Sequence, residues 1–417
     1  MQFEIQKEAL AAKLLDVNSI VEKNSPKAIL SHIYLKAENN QLTLISTDTE
    51  LTLTVYLPAT VIESGTITVQ SDAFTQLVNR LADGVVVNCQ TKDEQFIIKA
   101  GKGNYKLQTL PADDFPIPES FNAENRVAID AGDLTHLLTK VRFSMAENDP
   151  RHYLNGMYIN PQNESNIIEA ASTDGHRLSA ASCNTNSAIS GFEKGFIIPN
   201  KAVNALIKQI SLDNLISELN LQKKAATDVE TTNLLNEKIE QFNKVKRLSN
   251  RAQKNEMPRN LDLNLSERLL SLSGENWVLT TRLLEGKYPD YQRIFPEKQT
   301  MPILLDRMLL LDALRRLRVI LNSKDEKALI LRFEENKLSI SARNSNSNDS
   351  GDEQIDIVNN QNIVCNVGIN VLYLFDAANN ISGDFLELHI QNPNSPVLIT
   401  SQQDEQVRYV IMPMNID

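Results

Sequence analysis

Leu154-Asn155-Gly156-Met157-Tyr158-Ile159, then Ile167-Ile168, then Ser172-Thr173-Asp174-Gly175 is an order of features that the chain uses more than once. Leu30-Ser31-His32-Ile33-Tyr34-Leu35, Leu42-Thr43-Leu44 and Ser46-Thr47-Asp48 precede it; Leu329-Ile330-Leu331, Leu338-Ser339-Ile340 and Ala342-Arg343-Asn344 follow it. Each copy trails an apolar-periodic segment starting near Ala9, Leu134 or Met308, and reads as helix, hairpin and third strand. A second half follows each: a short strand (66–69, 196–198, 363–367), then a helix with Ser71, Asn200 or Asn370 at its N-cap. In these helices Phe74, Leu77, Val78, Leu81, then Val203, Leu206, Ile207, Ile210, then Val371, Leu374, Phe375, Ala378 keep the helical period.

The pattern predicts an α+β protein of three repeated domains, 1–124, 125–298 and 299–417, each with two helices and two small antiparallel sheets. Alternation such as Leu51, Leu53, Val55, Leu57 against Thr52, Thr54, Tyr56 marks half-buried strands. The middle copy departs from the others over about 211–260. There Leu212, Leu215, Ile216, Leu219 and Leu235, Ile239, Phe242, Val245 suggest a helical hairpin carrying Lys223, Lys224, Lys244, Lys246, Arg247 and Arg251, read as a solvated insertion.

At 417 residues, 41% hydrophobic and 23% charged, the chain can bury real cores, which excludes global disorder. No apolar run approaches a membrane span, and the N-terminus lacks the order of a secretory signal, so a soluble cytoplasmic protein is expected. Cys89, Cys183 and Cys365 are far apart and suit reduced thiols better than a disulfide frame or zinc site. No phosphate-cradling loop, dinucleotide fingerprint or metal signature is present, so neither cofactor nor metal is expected. Asp174 and His176 invite an acid–base reading; a tight turn with Gly175 at positive φ accounts for the same residues.

The net charge of −11 argues against coating nucleic acid with the whole surface but permits a basic face. Arg80, Lys140, Arg142, Lys201, Lys208, Arg307, Arg315, Arg316 and Arg318 all belong to the six repeat helices or their ends. Carboxylates such as Asp349, Asp352 and Glu353 gather in strands and loops.

Phe143-Ser144-Met145-Ala146, Arg151-His152-Tyr153-Leu154-Asn155-Gly156-Met157, Thr173-Asp174-Gly175-His176-Arg177-Leu178, Pro289-Asp290-Tyr291-Gln292-Arg293 and Tyr409-Val410-Ile411-Met412-Pro413-Met414 closely resemble the bacterial sliding-clamp family, the beta subunits of DNA polymerase III. The resemblance covers nearly the whole chain. It implies a non-catalytic homodimeric ring that encircles double-stranded DNA and tethers the replicative polymerase catalytic subunit, the clamp loader and other proteins bearing a clamp-binding motif. Helices spaced about 10 Å apart leave a bore of roughly 9 Å in a ring of six and roughly 28 Å in a ring of twelve. Two chains can therefore surround a duplex, and one cannot. A peptide-binding repeat scaffold without DNA is the alternative.

By resemblance, Leu154, Thr173, Gly175, His176, Arg177, Leu178, Pro289, Arg293, Ile294, Met412, Pro413 and Met414 line a groove for Gln-Leu-x-Leu-Phe peptides. Lys23, Lys27, Arg80, Asn148, Arg151, Lys201, Arg315 and Arg316 face DNA. Tyr105, Lys99 and Lys102 of one copy meet Ile320, Leu321, Asp349, Asp352 and Glu353 of the other. Two departures stand out. Asn24 occupies a position where the family commonly places Arg, and Asn415-Ile416-Asp417 replaces the usual Arg-Leu ending.

Overall fold

The computed structural model describes residues 1–23, 25–118, 125–162, 165–185, 195–211, 232, 235–237, 239–240, 260–321, 327–344, 347–359 and 363–415. The hairpin read over 211–260, its six basic residues, Asn24, Ile416 and Asp417 thus lie largely or wholly outside the described residues.

Six helices carry the repeat: α1 (Lys7–Asn18), α2 (Ser71–Asn79), α3 (Ala131–Val141), α4 (Asn200–Ile210), α5 (Arg307–Ile320) and α6 (Val371–Asn380). Of the apolar positions that set the period, Phe74 and Val78 in α2, Val203, Leu206 and Ile210 in α4, and Val371, Leu374 and Ala378 in α6 are buried, while Leu77, Leu81, Ile207 and Phe375 are half-buried. Of the three expected N-caps only Asn370 holds that position, since Ser71 and Asn200 are already the first residues of their helices. Asn370 accepts the Leu372 N–H at 2.9 Å and Asp306 caps α5 through the Leu309 N–H at 2.9 Å. On α2 the cap is Gln70, which accepts from Ala73, while the Ser71 hydroxyl turns to Asn18 at 2.6 Å. The strand expected over 363–367 runs instead over Cys365–Asn370. The Asn359 side chain holds both the N–H and the carbonyl of Ile363, which keeps that residue out of the ladder.

Among the described residues the strands form two antiparallel sheets, of 13 and 12 strands. Two compact units result. In the first, strand Leu51–Pro58, third of the opening repeat, pairs with Trp277–Arg282, last of the middle repeat, with Leu53 opposite Leu279. In the second, Arg177–Asn184, third of the middle repeat, pairs with Val407–Ile411, last of the closing repeat, with Ser179 opposite Tyr409. The middle repeat is therefore shared between the units: residues 201–283 belong to the first and 136–184 to the second. The repeat division follows chain order, whereas the compact units follow the ladders.

Candidate partner groove and charged surfaces

Thr173-Asp174-Gly175-His176-Arg177 is a tight turn whose polar side chains serve the backbone. Thr173 Oγ1 accepts from the Gly175 N–H at 3.0 Å and donates to the Arg177 carbonyl at 2.6 Å. Asp174 Oδ1 accepts from the N–H groups of His176 and Arg177, at 2.9 and 3.0 Å. Gly175 sits at φ +90°, a conformation that a β-carbon disfavours. The first repeat builds the same turn from Thr47 and Asp48, with Thr49 at φ +82° where the middle repeat uses glycine. The Asp174 carboxylate is thus committed to the turn and to Arg177, which donates Nε to it at 2.9 Å.

Arg177 also donates Nη1 to Asp376 at 2.7 Å, and its guanidinium lies 4.5 Å from the Tyr373 ring centre. Both residues are on α6, so this arginine ties the middle repeat's turn to the closing repeat's helix. The Met412 N–H donates to the His176 carbonyl at 2.9 Å, and the Met414 N–H donates to Gly368 at 2.8 Å. Those two bonds dock the segment after strand Val407–Ile411 beside the turn.

Beneath these groups Leu154 and Leu178 pack with Tyr288, Tyr291, Leu398 and Val410 in one apolar cluster. Leu154 and Leu178 are each 2% exposed, so they form a floor, whereas Ile294, Met412 and Met414, at 39, 40 and 38%, offer apolar surface. Pro289 and Pro413 are half-buried. Arg293 is exposed and pairs with Asp290 at 2.6 Å. Tyr158 and Tyr288 stack with ring centres 4.9 Å apart. Tyr291 donates to the buried Glu169, which also accepts Arg408 Nη2 at 2.9 Å. Burial pushes the Tyr288 and Tyr291 phenols well above their ordinary range. Sequence reasoning missed Val410, Leu398, Tyr373 and Asp376. Strand alternation from Leu178 could have found Val410, which faces it in the ladder; nothing in the local pattern singles out the two α6 residues.

The cations assigned to DNA are mostly engaged already. Lys23 pairs with Asp72 at 2.9 Å, Arg315 with Asp312 at 2.6 Å, Arg316 with Glu353 at 2.6 Å and Lys201 with Asp48. Arg151 holds Asp149 through Nε and Nη2, and those bonds bring the Asp149 carboxyl down to about 2. Lys27, Arg80 and Asn148 are exposed. Lys140 is different from the rest of the basic set: it is buried, so the sequence-based placement of it on an exposed basic face does not hold.

Of the residues assigned to a dimer contact, Tyr105, Lys99, Asp352 and Glu353 lie on strands, Lys102 and Asp349 in the connections beside them, and Ile320 and Leu321 at the end of α5. Gly103–Leu110 pairs with Gln95–Ala100 along most of its length and meets the strand Gly65–Gln70 only at Thr109 and Leu110. Ser350–Val358 pairs with Lys337–Arg343 and meets Ile303–Asp306 only at Ile357 and Val358. Among the described residues, 103–108 and 350–356 each leave one edge without a ladder. Tyr105, Lys99, Lys102, Asp349 and Asp352 are exposed, and Ile320 is half-buried. Leu321 is 6% exposed and already packs inside its own chain, which leaves it little surface for a partner.

Family models of the DNA polymerase III beta subunit match the chain three times: the N-terminal domain over residues 1–119, the central domain over 128–239 and the C-terminal domain over 292–415. The chain is similar to the beta sliding clamp of Caulobacter vibrioides, 27% identical over 421 residues and covering 100% of both sequences. It is 26% identical to that of Vibrio cholerae over 418 residues, again covering 100% of both. Among solved structures, the Bartonella birtlesii sliding clamp bound to griselimycin superposes with a TM-score of 0.83 at 27% identity. The Pseudomonas aeruginosa sliding clamp superposes with a TM-score of 0.81 at 25% identity. Both cover 100% of each chain.

Proposed function

The chain belongs to the DNA polymerase III beta subunit family, and from that membership we propose how this DNA sliding clamp closes on duplex DNA and recruits its partners. One observation carries the closure. In both joints inside the chain, the third strand of one repeat pairs with the last strand of the next. Two strands of those same classes are left over, 350–358 in the closing repeat and 103–110 in the opening one. Pairing them between two copies, head to tail, extends the same rule and closes a ring of two.

The internal ladders set the register of this third joint. Ala342 faces Gly351 as Ser46 faces Leu53 and Ser172 faces Ser179. Aligning Leu110-Pro111 with Met412-Pro413 puts Leu107 where Tyr409 stands. Gly351 then faces Leu107 of the second copy, Asp352 faces Lys106, and Glu353 faces Tyr105. Opposite charges meet at Asp352 and Lys106, whereas Asp349 falls opposite Thr109 and Lys99, paired with Asn104, lies toward Gln354. The three-domain division 1–124, 125–298 and 299–417 is the one consistent with this scheme.

DNA passes through the ring and is read as phosphate charge, without preference for base edges. The polymerase catalytic subunit, the clamp loader and other motif-bearing proteins dock by short peptides in the groove at the middle–closing joint. Ile294, Met412 and Met414 take the apolar peptide ends, methionine adapting to differently shaped residues, and the chain performs no catalytic step. Deleting residues 412–417 should weaken binding of a labelled Gln-Leu-x-Leu-Phe peptide by a factor of about a hundred or more, since two apolar anchors are worth about 1.5–3 kcal/mol each. Fluorescence anisotropy reads this directly, and equal affinity of the truncated and full-length dimers would move the groove elsewhere.

A further inference from the structure

Lys140, near the end of α3, is buried, an unusual place for an ammonium unless its donors are all satisfied. Its Nζ donates to the Asn380 carbonyl at 2.5 Å, to Ser382 Oγ at 2.6 Å and to Asp404 Oδ2 at 2.7 Å. Asp404 is buried as well; its Oδ2 accepts the Ser382 N–H at 2.8 Å and its Oδ1 lies 3.6 Å from His136 Nε2. Asn380 is the last residue of α6, so the cation sits at the negative end of that helix.

The same residue reaches the groove by its main chain. Tyr409 donates its hydroxyl to the Lys140 carbonyl at 2.9 Å, and its ring meets Phe143 edge-on with centres 5.1 Å apart. Arg177 lies 5.5 Å from the centre of that Phe143 ring. Asp404 in turn accepts the Val407 N–H on its carbonyl at 3.0 Å, at the start of the strand that leads to Met412.

We propose that Lys140 is a positioning residue for the partner groove: paired with Asp404, it fixes strand Val407–Ile411 and the following Met412–Met414 segment against strand Arg177–Asn184. Lys140 sets the groove's shape without touching the peptide. This role rests on the groove reading above. A related device at the other internal joint gives a control. Lys208 of α4 reaches the Leu15 carbonyl at 3.0 Å and the Asp16 carboxylate at 3.1 Å, again in the last turn of a neighbouring repeat's helix, where no groove is assigned.

The test compares Lys140→Met, Lys140→Arg and Lys208→Met in the full-length dimer. Anisotropy of the labelled peptide is read beside amide hydrogen exchange over 405–414. Lys140→Met should weaken the peptide about tenfold and speed exchange at Met412, whose N–H depends on His176. Lys140→Arg should recover most of the affinity, and Lys208→Met should leave both readouts at the wild-type level. Wild-type affinity and exchange in Lys140→Met would overturn the proposal, as would an equal loss in Lys208→Met, which would reveal general loosening. If Lys140→Met does not fold, Asp404→Asn keeps the shape, removes the charge and carries the same expectations. A wild-type protein that bound no peptide would sink the groove reading, and the exchange measurements would then decide alone whether Lys140 orders the strand.

Discussion

Tyr291 shows how one side chain ties chemistry to packing. Its hydroxyl donates to Glu169, a carboxylate buried within the sheet, and Arg408, stacked 4.3 Å from the Phe295 ring centre, supplies the cation that carboxylate needs. Removing the hydroxyl by Tyr291→Phe leaves one acceptor short of a donor and should cost about 1–3 kcal/mol in urea unfolding. The phenol's acidity provides a second readout. Burial and then Glu169 raise the Tyr291 pKa above its ordinary 10.0. The folded chain therefore keeps a proton that the unfolded chain releases above that pH, and stability falls as pH rises through it. Tyr291→Phe should reduce this alkaline loss by up to about 1.4 kcal/mol per pH unit. Unfolding midpoints collected from pH 8 to 11 decide the matter, and parallel curves for the two proteins would contradict it.

Single elements explain why repeats with different residues can assemble by one rule. The turns at Thr47-Asp48 and Thr173-Asp174 place their strands identically because side-chain oxygens accept the same backbone N–H groups. The closing repeat replaces the pair with Arg343-Asn344, and there Ser347 and Asp349 bond each other at 2.6 Å in a longer connection. The strand that follows, Ser350–Val358, keeps an open edge and carboxylates along it. An open edge is an invitation to pair, and its charge selects the partner. Asp352→Lys places a cation opposite Lys106 in the proposed register, where like charges should cost several kcal/mol across the two equivalent joints. The variant should run as a monomer at micromolar concentration in analytical ultracentrifugation while keeping the wild-type circular dichroism spectrum. A dimer of undiminished strength would exclude this register. Ile320→Ala is a weaker probe of the same joint, and Leu321→Ala would report on the fold itself because that side chain is buried.

For the whole molecule, an acidic chain in which most of the cations proposed to face DNA are already paired should hold DNA by enclosure more than by affinity. Exposed ion pairs such as Arg315–Asp312 are worth about 0–1 kcal/mol, so phosphates can compete for the cations but gain little. Moderate salt should weaken direct contacts along a shallow log–log slope, yet protein loaded on nicked circles should stay while protein on linear DNA of equal length runs off. Equal escape from both would show that the ring does not close. The sequence by itself determined the class of fold, the threefold repeat and the periodicity of its helices, because helix and strand periods and turn residues are local properties of the chain. It also made the Thr-Asp-Gly-His-Arg turn conspicuous, though not its use, since an aspartate beside a histidine suits catalysis and turn-building equally. Only the tertiary structure decided which strands pair across repeats, that the middle repeat is shared between two compact units, that Leu154 and Leu178 form a floor beneath the exposed methionines, and that Lys140 faces inward. Each of those depends on partners more than a hundred residues away, such as Asp376 for Arg177 and Asp404 for Lys140. The free energy of a lysine is set by whatever carboxylate and carbonyls fold around it, and no local pattern encodes that.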